Sequence, residues 1–237
     1  MAQLDLSRRS VLSSGLAVGA AALIGGGATA LPGGRRDILA GVSRWNDRVQ
    51  AAIFDPDQLA PIYKAREITS PIPFNSFYPE GLAPAVDPVS WRLEVAGKVG
   101  RQLSLGLLDL RAFDHHEQIT RLICIEGWSA VGKWAGPRLS DVLDAAGADP
   151  AARFVTLTCA DGYWTSIDRP SARHAQTILA LDFLDRPLPR AFGAPARLRI
   201  PTKLGFKNAK HVVRIEVTDL RAGGYWENQG YGWFAGL

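Results

Sequence analysis

From Trp91 onward the chain reads as a series of short strand-like segments, and this pattern restricts the fold more than any other feature. The stretch WRLEVAGKV alternates apolar and polar residues as a half-buried strand does. Further strands are predicted at residues 118–125, 154–159, 177–181, 197–200 and 211–218. Helices are predicted at residues 37–54, 104–113 and 137–146. Because strands and helices alternate irregularly, the sequence predicts an α+β fold with mixed β-sheets and surrounding helices.

Composition limits the classes of protein to which the chain can belong. Of its 237 residues, 47% are hydrophobic and 21% are charged, which is typical of a folded globular protein and excludes the disordered class. The net charge is +4, but Lys and Arg form no long runs. We therefore expect no nucleic-acid partner, and a local anion site explains the basic balance better.

Residues 1–30 have the three parts of an export signal. Arg8 and Arg9 form a basic pair, an uncharged Gly- and Ala-rich stretch follows, and Ala-Thr-Ala closes the segment. The stretch SRRSVL resembles the twin-arginine class, whose passengers cross the membrane already folded. The alternative, a membrane anchor, is disfavoured because the stretch has many glycines and few large side chains. We predict cleavage after Ala30 and export to the periplasm.

The exported part is predicted to form one domain. Residues 31–90 comprise the N-terminal helix and a Pro-rich segment without periodicity, which is expected to run over the surface of a core. Residues 91–237 supply that core.

One of only two cysteines, Cys124, stands in RLICIEGWSA at the end of a predicted strand. In an exported protein, a disulfide between Cys124 and Cys159 is the simplest interpretation. The alternative is a thiolate metal ligand at a strand edge, with an organic cofactor supplying the other donors. Zinc is excluded because no second Cys or His stands at ligand spacing, and haem attachment is excluded because no C-x-x-C-H occurs.

The stretch PTKLGFKNAK is the candidate anion site. Lys203, Lys207 and Lys210 surround Gly205 in a predicted turn between two strands, and Arg197 lies shortly before it. Ammonium groups and the backbone N–H groups of a glycine turn can cradle a phosphate. The alternative is a solvated basic hairpin.

Taken together, six segments resemble the sulfite oxidase superfamily of molybdopterin enzymes, most closely the small periplasmic branch of methionine-sulfoxide reductases. They run from about Ile68 to the C-terminus and read ITSPIPFNSFYPEG, WRLEVAGKV, RLICIEGWSAVGKWAG, DGYW, GAPARLRIPTKLGFKNAKHVVRIEV and GYWENQGYGWFAGL. The resemblance implies a sulfite-oxidase-type molybdopterin-binding fold. It also implies a molybdenum–molybdopterin cofactor with a single pterin and no nucleotide.

The resemblance assigns roles to particular positions. Cys124 would be the thiolate ligand of molybdenum. We expect Trp128, Trp134 and Tyr163 to line the substrate mouth. The cofactor-binding positions would be Asn75, Tyr78, Cys159, Arg197, Asn208, Ala209 and Lys210, and the candidate anion site adds Lys203 and Lys207 to this set. Within it, Cys159 stands where the methionine-sulfoxide reductases have a threonine.

The expected reaction is a two-electron oxygen-atom transfer, in the direction of sulfoxide reduction. Sulfite oxidases carry an arginine five residues after the ligand cysteine, whereas this chain has Ser129 there, which favours a neutral oxide over dianionic sulfite. The alternatives are a sulfite-oxidase-like dehydrogenase and a metal-free binding domain closed by the disulfide. The resemblance implies a monomer that exchanges electrons with a separate membrane or soluble cytochrome, because the family's haem and dimerisation domains are missing. The substrate would be a small-molecule or protein-bound oxide.

Overall fold

The computed structural model describes residues 35–237, and its side chains from residue 40 onward. The predicted leader at residues 1–30 lies outside this range. Residues from Ser43 to Leu237 form one compact unit, and of the unit that ends at Val42 the structure describes only the beginning of the first helix. No helix in the described range has the length and apolar character needed to cross a membrane.

Four α-helices and five short 3-10 turns are present between residues 35 and 237. The helices are α1 (Arg35–Ile53), α2 (Leu107–Arg111), α3 (Leu139–Ala145) and α4 (Arg169–Arg173). The 3-10 turns lie at Ala65–Glu67, Glu80–Leu82, Arg190–Phe192, Gly205–Lys207 and Glu227–Gln229. Local capping fixes two helix starts, since Asp109 accepts from the backbone N–H of Gly106 at 2.7 Å and Asp168 accepts from that of Ser171 at 3.2 Å.

Eleven strands occupy the same range. In chain order they are β1 (Leu93–Gly97), β2 (Leu103–Leu105), β3 (His116–Ile123), β4 (Ser129–Gly136), β5 (Phe154–Cys159), β6 (Trp164–Asp168), β7 (Ile178–Ala180), β8 (Asp182–Phe183), β9 (Arg186–Pro187), β10 (Arg197–Arg199) and β11 (Val212–Thr218). They form a five-stranded sheet in the order β2-β1-β11-β5-β6, a four-stranded sheet in the order β3-β4-β8-β9, and the pair β7 and β10.

The five-stranded sheet is mixed, as the sequence predicts. Strands β1 and β11 run parallel, with Val95 opposite Ile215, and the remaining neighbours are antiparallel. Leu93, Val95 and Leu157 are completely buried, and they belong to the main hydrophobic core. The α+β class with mixed sheets is therefore confirmed.

The β3–β4 hairpin is the element that positions the cysteine. Its ladder runs from the His116–Gly136 pair to the Ile123–Ser129 pair, and Cys124 follows directly. The Pro-rich segment lies along this hairpin: the backbone N–H of Tyr63 bonds to the carbonyl of Ile119, and that of Thr69 bonds to the carbonyl of Val131.

Three local predictions need correction. The helix predicted at residues 104–113 is only five residues long, because Leu103–Leu105 instead pairs with β1 as a strand. Strand β4 was not predicted: its buried residues do not alternate, so it lacks the period of a half-buried strand. Strand β6 was also missed, because three of its five residues are buried in succession.

Candidate functional site

The turn between β3 and β4 holds Cys124 in a fixed place. The backbone N–H of Cys124 bonds to the carbonyl of Trp128 at 2.9 Å, and that of Gly127 bonds to the carbonyl of Cys124 at 3.2 Å. Gly127 has a φ of 93°, a conformation that favours glycine and that closes the turn. The thiol-bearing residue is 8% exposed at the edge of a cavity.

The turn that carries the lysines lies directly against this cysteine. A Cβ placed on Gly205 would stand 3.3 Å from the carbonyl oxygen of Ile123 and 3.6 Å from the Cα of Cys124. Glycine therefore allows this approach without the tight contact that a side chain would make with the Ile123 carbonyl oxygen. The sequence-predicted neighbours do meet here: the residues that line the cavity include Asn75, Cys124, Trp128, Trp134, Tyr163, Arg197, Asn208, Ala209 and Lys210.

Polar groups surround the cysteine sulfur. The side-chain amide of Asn75 approaches the Cys124 Sγ at 3.6 Å and donates to Glu126 Oε2 at 2.7 Å. The Trp128 indole N–H donates to the same carboxylate oxygen at 3.0 Å, and that oxygen is 3.8 Å from the sulfur. Burial raises the pKa of the Cys124 thiol, and the nearby Glu126 carboxylate acts in the same direction.

Three cations lie close together, and two of them, Arg197 and Lys210, line the cavity. Arg197 and Arg199 are buried, and Lys210 is half-buried. Arg197 donates to the carbonyls of Phe192 and Asn208 at 3.0 and 3.2 Å, and Lys210 donates to those of Asn75 and Ala191 at 2.7 and 3.0 Å. Their hydrogen bonds therefore go to neutral acceptors.

Burial makes these charges costly. Within residues 40–237, no carboxylate lies at ion-pair distance from Arg197, Arg199 or Lys210. Desolvation lowers the pKa values of both arginines, and it lowers the pKa of Lys210 to about 7, with Arg197 adding to the effect. A buried charge without a counter-charge is unfavourable, so this side of the cavity suits a bound anion.

Two unpartnered donors indicate the same kind of ligand. The Nε of Arg197 and the indole Nε1 of Trp134 are buried and have no hydrogen-bond partner. Both residues line the cavity, and the Arg197 guanidinium lies 4.8 Å from the centre of the Trp134 ring. Native proteins rarely leave such groups unsatisfied, so the donors fit a ligand that is rich in acceptors. A cavity lined by a thiol, by buried cations and by unpaired donors suits an anionic metal–pterin cofactor.

Two of the three lysines predicted to bind the anion do not line the cavity, namely Lys203 and Lys207. The Lys203 ammonium is 3.5 Å from Asp168 and packs over the Phe234 ring. Lys207 is fully buried in an ion pair with Glu227. Each ammonium therefore has its own acidic neighbour away from the cavity, which corrects the prediction of a three-lysine cradle. Of the three, Lys210 alone lines the cavity.

Tyr78 and Cys159 stand behind the lining residues. The Tyr78 hydroxyl donates to Asp161 at 2.9 Å, and burial raises its pKa to about 12. Cys159 ends β5 and is 4% exposed. Cys124 and Cys159 are both free thiols, so the structure contradicts the predicted disulfide alternative.

Three charged residues in the cavity lining or directly behind it were not predicted, namely Glu126, Asp161 and Arg199. Glu126 and Asp161 line the cavity, and both stand inside the quoted motifs. Arg199 lies two residues after Arg197 on β10, and on a strand that spacing puts both guanidinium groups on one face. The spacing of two residues between Arg197 and Arg199 is the sequence signal that predicts Arg199 on the same face as Arg197.

Comparison with known proteins gives a consistent result. The family model described as "oxidoreductase molybdopterin binding domain" matches residues 80–226. A putative protein-methionine-sulfoxide reductase subunit, YedZ1 of Azospira oryzae, is 44% identical over 97% of this chain and 88% of its own length. The protein-methionine-sulfoxide reductase catalytic subunit MsrP of Campylobacter jejuni is 31% identical over 66% of this chain, and the match spans 59% of that relative.

A solved structure shares the fold. The sulfane dehydrogenase SoxCD of Paracoccus pantotrophus superimposes with a TM-score of 0.57 over 62% of this chain and 42% of that chain. The two sequences are 20% identical, so this likeness concerns the fold.

Proposed function

Because this chain belongs to the family of oxidoreductase molybdopterin-binding domains, within the sulfite oxidase superfamily, we propose that it is an exported sulfoxide reductase. The observation that carries the proposal is the juxtaposition of a free, buried thiol at Cys124 with the unpaired cations Arg197 and Lys210 around one cavity. The names of the relatives support methionine sulfoxide or a similar oxide as the substrate.

The residues around the cavity divide into two groups that would hold the cofactor. Cys124 would provide the protein's thiolate to molybdenum, which requires loss of the thiol proton. Arg197, Lys210 and the Asn208–Ala209 backbone would bind a single pterin and its phosphate without a nucleotide. Arg199 would support them, because it donates to Asn208 Oδ1 at 2.8 Å. When bound, the cofactor supplies two-electron oxygen-atom-transfer chemistry.

The chain's own groups would bind the substrate and manage protons. The net reaction takes up two electrons and two protons and converts a sulfoxide into a thioether and water. Glu126 is the carboxylate beside the cysteine, and its bonds to Asn75 and Trp128 fix where it could hold one of those protons. Tyr163, whose hydroxyl donates to the Phe206 carbonyl at 2.6 Å, would form a rigid wall of the mouth.

Sulfite-oxidase-like oxidation is the second candidate, and the charges at the mouth disfavour it. Glu126 and Asp161 are both carboxylates of the cavity lining, and position 129 carries a serine. A dianionic substrate would approach two like charges without an arginine at position 129, whereas a neutral sulfoxide would meet no such repulsion. Equal or faster turnover of sulfite would favour the second candidate.

The proposal also includes the export route of the protein and its electron donor. Residues 1–30 would be a twin-arginine leader, residues 31–90 would cover the cofactor, and residues 91–237 would bind it as part of the same domain. The protein would work in the periplasm as a monomer. It would receive electrons from a separate membrane or soluble cytochrome.

The test is a pair of cysteine variants made in a host that synthesises molybdopterin. Wild type should contain about one molybdenum per chain and oxidise a reduced viologen when methionine sulfoxide is added. Cys124→Ser should lose this activity by at least about a thousandfold while remaining folded. Cys159→Ser, the matched control at the second buried thiol, should keep its metal and most of its activity. Full activity of Cys124→Ser, or wild type without metal from a competent host, would disprove the proposal.

A further inference from the structure

Helix α1 presents an apolar stripe to solvent on its outer face. Trp45, Val49 and Ile53 are spaced four residues apart, and 62%, 36% and 75% of their respective surfaces are exposed. At 3.6 residues per turn, this spacing aligns the three side chains along one side of the helix. All seven tryptophans of the chain lie in the described range, and Trp45 is the one that is mostly exposed.

The inner face of the same helix is fastened to the protein. The carboxylate of Asp47 is buried, accepts from the backbone N–H of Phe234 at 2.9 Å and pairs with Arg221 at 2.5 Å. The side chain of Gln50 accepts from the backbone N–H of Gly236 at 2.9 Å. The stripe is therefore held outward on a fixed helix, because these contacts leave it no freedom to turn inward.

The charge beside the stripe is positive. Arg44 and Arg48 are exposed on this helix. Asp47, the acidic residue that lies between them, is buried and pairs with Arg221. Arg48 stands three positions after Trp45, about 60° from it around the helix axis. Asp55 and Asp57 are exposed, but they follow the end of the helix. A tryptophan-bearing apolar face flanked by arginines is the pattern of a helix that lies in a membrane interface.

The apolar surface continues beyond the helix. Ile53 borders a second cavity together with Leu59 and Leu237, which are 52% and 58% exposed. Ile123 of β3 lines this second cavity, whereas its neighbour Leu122 lines the cavity of Cys124. Successive strand residues point to opposite faces, so the two cavities lie on opposite sides of β3. Contact at the outer face would therefore leave the cofactor cavity open.

We propose that α1 and the adjoining residues Leu59 and Leu237 form a surface that binds an anionic phospholipid membrane. Trp45, Val49 and Ile53 enter the headgroup region, and Arg44 and Arg48 contact the lipid phosphates. Charge complementarity selects this occupant, because an apolar protein partner would not require the flanking arginines. Such binding would confine the protein to the plane in which a membrane-bound redox partner diffuses. Membrane binding can be tested without measuring catalytic activity, so the result of the test does not depend on the proposed function.

The test is co-sedimentation of the exported protein, as the host processes it, with phospholipid vesicles. Wild type should bind vesicles of phosphatidylethanolamine and phosphatidylglycerol, bind phosphatidylcholine vesicles much more weakly, and be released by high salt. Trp45→Asp combined with Ile53→Asp should weaken binding at least about tenfold. Arg44→Gln combined with Arg48→Gln should weaken it roughly thirtyfold.

The matched control carries the same charge change elsewhere. Val89 and Leu108 are 80% and 83% exposed and lie outside α1, so Val89→Asp combined with Leu108→Asp should bind as wild type does. All variants alter exposed side chains and should keep the melting temperature of wild type. The proposal is overturned if wild type stays in solution with anionic vesicles, if the α1 variant binds as the control does, or if only membranes containing another protein retain the chain.

Discussion

Arg197 and Lys203 are both buried cations from one short stretch of sequence, yet they face different surroundings. Arg197 lines the cofactor cavity, and its Nε has no partner. Lys203 is 1% exposed and lies between Asp168 and the rings of Phe54 and Phe234. An anionic ligand of the proposed kind would offset the cost of burying Arg197, whereas no ligand is proposed beside Lys203. The two residues should therefore respond differently to substitution.

The stability of the protein should depend on pH through Lys203. Burial lowers the pKa of Lys203 to about 7, whereas an unfolded lysine titrates at about 10.4. Between these values the unfolded state binds more protons, so this residue makes the free energy of unfolding rise with pH, by at most about 1.4 kcal/mol per pH unit. Below about pH 7 the cost of burying the charge is complete.

We predict that Lys203→Met stabilises the protein by roughly 1 kcal/mol near pH 7 and that this advantage shrinks as the pH rises from about 7 towards about 10. Urea unfolding of wild type and variant at several pH values measures both quantities. Lys64→Met, at an exposed lysine, should leave the pH profile unchanged. Parallel profiles for wild type and Lys203→Met would show that the ammonium group is not desolvated in the folded state.

Among the elements, the 3-10 turn Gly205–Lys207 connects the cavity to the C-terminal tail. Its Gly205 lies against Cys124, and its Lys207 forms a buried ion pair with Glu227 of the turn Glu227–Gln229. The ammonium also donates to the carbonyl of Ser166 at 2.9 Å, and the carboxylate accepts from the Thr165 hydroxyl at 2.7 Å. The ion pair therefore fixes this turn to the C-terminal segment.

We predict that Glu227→Gln destabilises the protein by about 3–5 kcal/mol, because it leaves the Lys207 charge buried and unpaired. The double variant Lys207→Met with Glu227→Gln should recover much of that loss, since no buried charge remains. Chemical denaturation of the four proteins in the cycle gives the coupling free energy. Additive losses in the double variant would mean that the two groups do not interact in the folded state.

Some elements could be predicted from sequence and others could not, for identifiable reasons. Strand β3 and the exposed turn after it have a local pattern, so Cys124 was expected at a cavity edge. No local pattern sets the directions of the three lysines, because only Lys207 lies in the 3-10 turn Gly205–Lys207, whereas Lys203 precedes this turn and Lys210 follows it. Lys203 lies near Asp168, and Lys207 pairs with Glu227. Both acidic partners are distant from the lysines in sequence. Only the assembled fold reveals such pairings.

At the scale of the whole molecule, the cofactor cavity joins parts of the chain that are far apart in sequence. Asn75 comes from the Pro-rich segment, Cys124 from the hairpin, Tyr163 from the turn before β6, and Lys210 from the segment before β11. Lys210 also bonds to the carbonyl of Asn75 at 2.7 Å, which fastens the Pro-rich segment to the core. A ligand that contacts all these parts would link them to one another. Its binding should therefore stabilise the whole unit.

We predict that protein made in a host without molybdopterin synthesis melts about 10 °C lower than the loaded protein. A ligand present at a thousand times its dissociation constant adds about 4 kcal/mol, and each kcal/mol shifts the melting temperature by about 2–4 °C for a chain of this size. Lys210→Met should reduce the difference, because the anion loses one of its cations, whereas the exposed substitution Lys64→Met should not. Calorimetry of both preparations, alongside molybdenum analysis, provides the measurement. Equal melting temperatures for a fully loaded and a metal-free preparation would mean that the buried cations are not neutralised by the cofactor.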